Sequence, residues 1–291
     1  HLCDRRQRQM CIRDRIMVVQ HNLQAANTNR QLGITTSAQA KSTEKLSSGY
    51  KINRAADDAA GLSISEKMRS QIRGLNKASS NAQDGVSLVQ TAEGALNETH
   101  SILQRMNELA TQAANGTNTS VDRSAIRAEL DQLTSEINRI QSTTQFNTMN
   151  LLDGTFSGAT NQMKLQVGAL SGQSIDFSIA NMCATKIGLK TTLSVSTFTK
   201  AGSYMKSVQD AIEVVSKQRS AMGAIQNRLE HTIANLDTTS ENTQSAESRI
   251  RDTDMASEMV TYSKNNILAQ AGQSMLAQAN QSTQGVLSLL Q

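Results

Sequence analysis

The strongest pattern in the chain is a row of apolar residues that recurs at every seventh position. One row runs through residues 59–114, and its members are Met68, Leu75, Ala82, Val89, Leu96 and Leu103. A second row runs through residues 203–251 and comprises Val208, Val215, Met222, Leu229 and Leu236. Because a sustained seven-residue repeat is typical of helices that wrap around one another, we predict two long helices. We expect the first helix to end at the turn-forming residues Asn115–Asn118. We expect the second helix to fold back along the first.

A third helix and a β-hairpin are predicted between these two helices. Apolar residues spaced alternately four and three apart form the face of the third helix: Ile126, Leu130, Leu133, Ile137 and Ile140. We expect Asp122 or Ser124 to cap this helix, which ends near Thr143. From residue 145 to about 203 the helical periodicity disappears. Residues 163–167 and 175–179 alternate between apolar and polar and predict a hairpin, and residues 193–196 a further short strand.

Both ends of the chain carry amphipathic patterns beyond the predicted helical pair. Residues 18–48 and 255–290 each predict a helix with one apolar face. Two thin helices alone bury little area, so we expect these faces to lack a partner within the molecule and to mediate self-assembly. The alternative is that the two end helices bury each other. The residues predicted to carry assembly are Leu23, Leu32, Leu46, Met255, Met259, Leu268, Met275, Val286 and Leu290.

These patterns together predict a mainly α fold. We expect a long antiparallel coiled-coil helical rod with a small β-hairpin region, plus N- and C-terminal helices that form an inner coiled-coil domain. The composition agrees with this prediction, since the 291 residues include no Pro and no Trp and only 2% are aromatic. A Pro in a helix interior costs about 3 kcal/mol, so its absence fits long uninterrupted helices.

The first sixteen residues differ from the rest. They hold five Arg against two Asp and two of the three cysteines, and residues 10–15 resemble a translated sequencing adapter. We expect residues 1–16 to be a non-native or disordered tail. Because this tail supplies most of the formal charge of +4, the charge does not indicate a nucleic-acid partner. No apolar run reaches the ~20 residues of a membrane span, and no cleavable signal peptide follows Met17, so we expect no membrane insertion. We expect Cys183 to be an ordinary loop residue.

No motif predicts catalysis. The chain has no phosphate-binding loop, no His-rich metal spacing and no nucleophile elbow. Asp57–Asp58 and Asp252–Asp254 lack the ligand set of a calcium loop, so we expect helix capping or ion pairs there. We therefore predict a protein that is not an enzyme and binds no cofactor and no metal.

Residues 46–61, which read LSSGYKINRAADDAAG, carry a family resemblance. Together with Asp84–Gly85, Ala92–Glu98, Thr144–Asn147 and Ala269–Leu290, this stretch resembles the bacterial flagellins over residues 17–291. The resemblance implies a secreted, extracellular subunit that polymerises with copies of itself into the flagellar filament. It also implies unfolded passage through the flagellar type III channel, so the expected partners include the export apparatus, an export chaperone and the filament cap.

The same resemblance implies a division of the chain. Residues 17–58 and 247–291 would form the inner filament-core domain, and residues 59–246 the helical rod domain, with the hairpin region at about 145–203. Because only about 60 residues separate the flanking helical segments, we expect a short form with little or no outer surface domain of the kind that larger flagellins carry. Two alternatives stay open, namely a hook–filament junction protein of the same architecture and a non-flagellar coiled-coil scaffold.

A second surface also follows from the resemblance. Residues 104–109, which read QRMNEL, are similar to the segment that a host Toll-like receptor recognises in many flagellins. The contacts this implies are Gln104, Arg105, Glu108, Leu109 and Glu129. Arg105 and Leu109 lie four apart on one helix face, and Leu109 is one position off the apolar row, so we expect Leu109 to be exposed. The alternative is that Leu109 packs in the helical seam and that Arg105 and Glu129 are solvated surface.

Overall fold

The computed structural model describes residues 22–158, 161–189 and 195–288, with side chains up to residue 282. The helices of this part of the chain are α1 Leu23–Ser48, α2 Ala59–Ala113, α3 Ser120–Thr143, α4 Phe198–Arg251 and α5 Met255–Ser288. Its strands are β1 Gln145–Phe146, β2 Met149–Asn150, β3 Met163–Gln166 and β4 Ser174–Phe177. The fold is mainly α with a small antiparallel strand region, as predicted. The tail at residues 1–16 lies outside the described residues.

Contacts divide the chain into two compact units. Among the described residues, one unit combines those up to 66 with those from 246 onwards, and the other comprises those within 67–245. The predicted ends of α2 and α3 are confirmed, because α2 ends at Ala113 before the 115–118 turn and α3 ends at Thr143. The predicted start of α4 near residue 203 is too late, since the helix begins at Phe198.

Within residues 67–245, α2 and α4 lie antiparallel. The Ser79 hydroxyl donates to Asp237 Oδ1 at 2.9 Å, and the Ser240 hydroxyl donates to Asn76 Oδ1 at 2.7 Å. Later positions of α4 therefore meet earlier positions of α2. The two predicted seven-residue rows form the seam between these helices, because every member is buried except Met68, which is half-buried. Burial of these aliphatic side chains is the main stabilising contribution to this unit.

Helix α3 packs on the same core through Ile126, Leu130 and Ile137. Its N-cap is Thr119, so the prediction of Asp122 or Ser124 as the cap is wrong. Thr119 Oγ1 accepts from the Asp122 N–H at 3.3 Å, while the Asp122 carboxylate accepts from the Thr119 N–H at 2.8 Å. This reciprocal pair satisfies two backbone donors at once, which a single capping side chain does not do.

The predicted hairpin is confirmed. Strands β3 and β4 pair antiparallel with Leu165 opposite Ile175, and the hairpin approaches α2 where α2 carries glycines. A Cβ at Gly74 would lie 2.8 Å from the Cβ of Ala169, and a Cβ at Gly85 would collide with the Leu165 side chain. Gly74 is therefore needed for this close approach, since a side chain there would press on the short side chain and the backbone of Ala169, whereas at Gly85 the end of the Leu165 side chain could move aside.

The loops around the hairpin contribute to the core without regular structure. Buried side chains of this region include Leu151, Leu152, Ile179, Met182, Ile187 and Leu189. Strands β1 and β2 form a further short hairpin that was not predicted. The strand predicted at 193–196 falls partly outside the described residues, and its described members, 195 and 196, are not in a strand. Cys183 is a partly buried free thiol in this irregular region, as expected of a loop residue.

Candidate assembly surface

The unit formed by the chain ends is built on α1 and α5, which lie antiparallel against each other. At one end of the pair, Asn22 Nδ2 donates to the Ala279 carbonyl at 3.0 Å. At the other end, Lys45 Nζ lies 3.8 Å from Glu258 Oε2. The two end helices therefore do pair with each other, contrary to the expectation that they lack a partner within the molecule, but the pairing leaves most of the predicted apolar residues exposed. The cause is small side chains, which let the two thin helices approach closely.

Local capping groups set the bounds of both helices. Asn22 Oδ1 accepts from the Ala25 N–H at 2.9 Å at the start of α1. Gly49 ends α1 in the left-handed conformation, with φ of 75°, which costs glycine little. Asp254 Oδ1 accepts from the Ala256 N–H at 3.0 Å at the start of α5. These caps place the break between α4 and α5 at the same level as the end of α1.

A small clasp joins the end of α1 to the start of α5. The Lys51 N–H donates to the Arg251 carbonyl at 2.7 Å, and the Thr253 N–H donates to the Gly49 carbonyl at 2.9 Å. The Arg251 guanidinium lies 4.8 Å from the centre of the Tyr50 ring, close enough for a cation–π contact. The clasp fixes the register at which α1 and α5 begin to pair. Sequence reasoning missed it, although Gly49 followed by an aromatic residue is a signal of a helix end.

The seam between α1 and α5 is narrow. Among the side chains of these helices that the structure describes, the buried ones are Ser42, Asn265, Ala269 and Ala279. None of them is a large apolar residue. A seam of this composition removes little apolar area from water, so it contributes far less to stability than the α2–α4 seam.

The large apolar residues of both helices lie on the outside instead. We call this exposed set the apolar surface; it comprises Leu23, Ile34, Met255, Met259, Val260, Ile267, Leu268 and Met275. With 3.6 residues per turn, Val260 and Ile267 lie on the side of α5 opposite Asn265 and Ala269. They are 71% and 67% exposed. A helix with apolar residues on every side is characteristic of a buried position, which α5 does not have in the single chain.

The structure places the predicted assembly residues in three groups. Leu23, Met255, Met259, Leu268 and Met275 are exposed and belong to the apolar surface. Leu32 and Leu46 are half-buried in α1, and Leu32 lies beside Gly272 of α5. The side chain of Val286, and Leu290 altogether, lie outside the described residues.

Sequence reasoning did not single out Val260 and Ile267, although both belong to the apolar surface. They were overlooked because only one apolar face was sought on this helix. The adjacent apolar pairs at 259–260 and 267–268 are the signal that could have found them, since neighbours in a helix point in different directions.

The predicted receptor residues lie on α2 and α3. Gln104, Arg105, Glu108 and Glu129 are exposed. Arg105 Nη2 lies 3.0 Å from Glu129 Oε1, and Arg105 Nη1 lies 3.2 Å from Glu108 Oε2. The hydrogen bond to Glu129, followed by the one to Glu108, raises the pKa of Arg105. The ion pair with Glu129 holds these residues together across two helices.

Leu109 does not join them. It is 2% exposed and belongs to the core cluster that includes Ile126 and Leu130, so the expectation that Leu109 is exposed is wrong. The physical reason is that both α3 and α4 cover α2. The buried face of α2 is therefore wider than a single seven-residue row.

The rest of the described chain adds no other kind of site. No group of three or more His, Cys, Asp or Glu side chains in it is arranged to hold a metal ion. None of the described helices has the length and apolarity to cross a membrane. The class that emerges is a helical structural protein whose end helices display an apolar surface.

Comparison with known proteins places the chain in a family. The bacterial flagellin N-terminal helical region matches residues 19–157, and the bacterial flagellin C-terminal helical region matches residues 205–290. A flagellin from Halalkalibacterium halodurans is 54% identical over 275 residues, which cover 94% of this chain and all of that protein. The flagellar filament 31.3 kDa core protein of Treponema maltophilum is 50% identical over 286 residues, with the same coverage.

A crystal structure of Bacillus cereus flagellin overlaps 54% of this chain and 88% of that chain, at 31% identity and a TM-score of 0.48. On the family and sequence matches, the chain belongs to the bacterial flagellin family. It is a structural subunit of the flagellar filament and not an enzyme. The hook–filament junction protein and the scaffold are not favoured.

Proposed function

We propose that the apolar surface is where copies of this chain bind one another in the filament. The observation that carries the proposal is the contrast within α5, where the fully buried residues are the small or polar Asn265, Ala269 and Ala279 while the large apolar Val260 and Ile267 face solvent. Full burial of a Val or Ile side chain stabilises by about 1.5–3 kcal/mol. Neighbouring subunits that cover α5 on its open sides would gain this free energy several times over.

The same contrast explains how assembly and folding are coupled. Because the α1–α5 seam buries little apolar area, the end helices depend on neighbours for much of their stability. In the free subunit we expect the amides of α1 and α5 to exchange with solvent faster than those of α2 and α4. In the filament we expect this difference to shrink. Hydrogen exchange followed by mass spectrometry measures both states.

Truncation of α5 tests the proposal. A chain that ends at residue 261 loses Ile267, Leu268 and Met275 from the apolar surface but keeps every residue of the core clusters, which lie between 75 and 236. We expect a folded monomer that adds to no filament seed, as seen by electron microscopy and by circular dichroism. Long filaments formed by the truncated chain would refute the proposal.

We also propose that the chain is secreted and extracellular, that it passes unfolded through the flagellar type III channel, and that its partners include the export apparatus, an export chaperone and the filament cap. Family membership supports this route, and the weak α1–α5 pair favours it, because little free energy opposes unfolding of the ends. A strain without the export channel should keep the protein inside the cell. Unchanged secretion by that strain would exclude the route.

Recognition by a host Toll-like receptor is a second candidate function. It is supported by the exposed polar group in which Arg105 bridges to Glu129 on the neighbouring helix. We expect Arg105→Ala to weaken receptor binding. Arg139→Ala is the matched control, because Arg139 is also exposed and forms an ion pair with Glu136 on α3. Equal receptor affinity of the two variants would argue against this site.

A further inference from the structure

The turn between α2 and α3 places an exposed asparagine directly before a glycine. Asn115–Gly116 is the only Asn–Gly pair in the 291-residue sequence. Both residues are exposed and lie outside the helices. A Cβ at Gly116 would meet nothing within 4 Å. No side chain beyond those of its two chain neighbours therefore crowds the Cα of Gly116.

Hydrogen bonds around this turn suit an attack by that nitrogen on the asparagine side chain. Among the bonds of the described residues, the Gly116 N–H donates none, so it is free to lose its proton. The Thr117 N–H donates to Asn115 Oδ1 at 3.3 Å. Negative charge develops on this oxygen when the side-chain carbon is attacked, and a donor placed there stabilises it.

A positive charge lies beside the same turn. Arg123 Nη2 donates to the Asn115 carbonyl at 3.2 Å, and its Nε donates to the Ala113 carbonyl at 3.2 Å. The guanidinium therefore stays close to residue 115. Its positive charge stabilises the anionic intermediate of the attack, and it stabilises the carboxylate that replaces the neutral amide.

We propose that Asn115 is a site of spontaneous deamidation. The Gly116 nitrogen forms a bond to Asn115 Cγ and gives its proton to water. The Cγ–Nδ2 bond then breaks, and Nδ2 takes up a proton and leaves as ammonia. The resulting five-membered succinimide adds one water molecule and opens to aspartate or isoaspartate. Either product adds one negative charge to the α2–α3 turn.

The two products have different structural consequences. Aspartate leaves the backbone unchanged and places its carboxylate near Arg123. Isoaspartate moves the main chain through the former side chain and lengthens it by one methylene between residues 115 and 116. The carbonyl that Arg123 holds then shifts, so the isoaspartyl form loosens the turn while the aspartyl form keeps it.

The chain supplies its own control. Asn147 is also exposed in a turn outside the helices, but it precedes Thr148, whose branched side chain shields the following nitrogen. Full-length protein is aged at mildly alkaline pH in heavy-oxygen water and mapped by mass spectrometry. We expect Asn115 to convert about tenfold faster than Asn147, equivalent to about 1.4 kcal/mol in barrier. An isoaspartyl methyltransferase should label aged but not fresh protein at residue 115.

Gly116→Ala is the test variant. Gly116 does not have a positive φ and has free space around it, so alanine fits, which a thermal melt checks. We expect the conversion of Asn115 to slow by about tenfold in this variant. Conversion of Asn115 at the rate of Asn147, or at an unchanged rate in Gly116→Ala, would overturn the proposal.

Discussion

Replacement of Val260 by glutamine tests the apolar surface at a single position. In the single chain Val260 is 71% exposed, so the substitution removes almost no intramolecular contact. Glutamine also forms helix at least as well as valine, so α5 is retained. The stability of the folded monomer should change by less than about 0.5 kcal/mol, as for most surface substitutions.

The effect on assembly should be much larger. Full burial of a valine side chain stabilises by about 1.5 kcal/mol at the low end of the range, so about 1 kcal/mol remains available at Val260. A buried glutamine amide without partners costs about 1–3 kcal/mol more. The sum of about 2–4 kcal/mol corresponds to a rise of roughly 30- to 700-fold in the critical concentration for polymerisation.

The assay is seeded polymerisation followed by sedimentation, with the critical concentration read from the soluble fraction. Val121→Gln is the matched control, since Val121 is a helical valine that is 75% exposed on α3. We expect the control to polymerise like the unmodified chain and to melt at the same temperature. If Val260→Gln polymerises at the unmodified critical concentration, α5 is not covered by neighbours on this side.

Three further predictions concern the unit formed by residues 67–245. Gly74→Ala should destabilise this unit because the new methyl group meets the hairpin turn. Gly94→Ala, where the methyl group meets nothing within 4 Å, should stabilise the unit by up to about 1 kcal/mol. Denaturant melts of both variants measure the sign of the change in unfolding free energy. The hydrogen bond from the Thr119 backbone N–H lowers the pKa of Asp122 below 3.8, so its stabilisation is present above that pH and is lost as pH falls through the folded-state value. Asp122→Asn should remove this acid dependence, and an unchanged dependence in pH-dependent melts would contradict the cap. Leu109→Ala should cost about 2–5 kcal/mol of unfolding free energy, and a loss near zero would show that Leu109 is not in the core.

The long helices could be predicted from the sequence because their burial is periodic. Rows such as Leu75 to Leu103 and Val208 to Leu236 repeat at the spacing that keeps one helix face toward a partner helix. No other apolar pattern in these segments predicts a different structure. The hairpin was predicted for the same reason at the shorter period of a strand. Its contact with α2 was not predicted, because an isolated helical glycine such as Gly74 does not reveal what approaches it.

The errors have a common physical cause. Leu109 lies off the main row but faces a third helix, and Thr119 caps α3 through a partner three residues away. Tertiary packing determines what Leu109 contacts, and a reciprocal pair of hydrogen bonds determines the cap at Thr119. A single row of apolar residues encodes neither of these. The buried loop residues between 151 and 189 have no period, so no pattern marked them as core. The pairing of α1 with α5 was only the alternative prediction, because two thin helices alone bury little area.

That last error points to how folding and assembly divide the apolar residues of this flagellin. Between α2 and α4 the large side chains face inward, and the unit gains its stability within one chain. Between α1 and α5 the fully buried positions are small or polar, such as Ala269 and Ala279, and Leu32 and Leu46 are only half-buried, while Val260 and Ile267 face outward. If the large residues filled the seam instead, the end helices would be stable alone and would have little left to gain from neighbours. The small seam fixes the register of the two helices through close approach, and we expect the outward residues to make their full stability conditional on polymerisation.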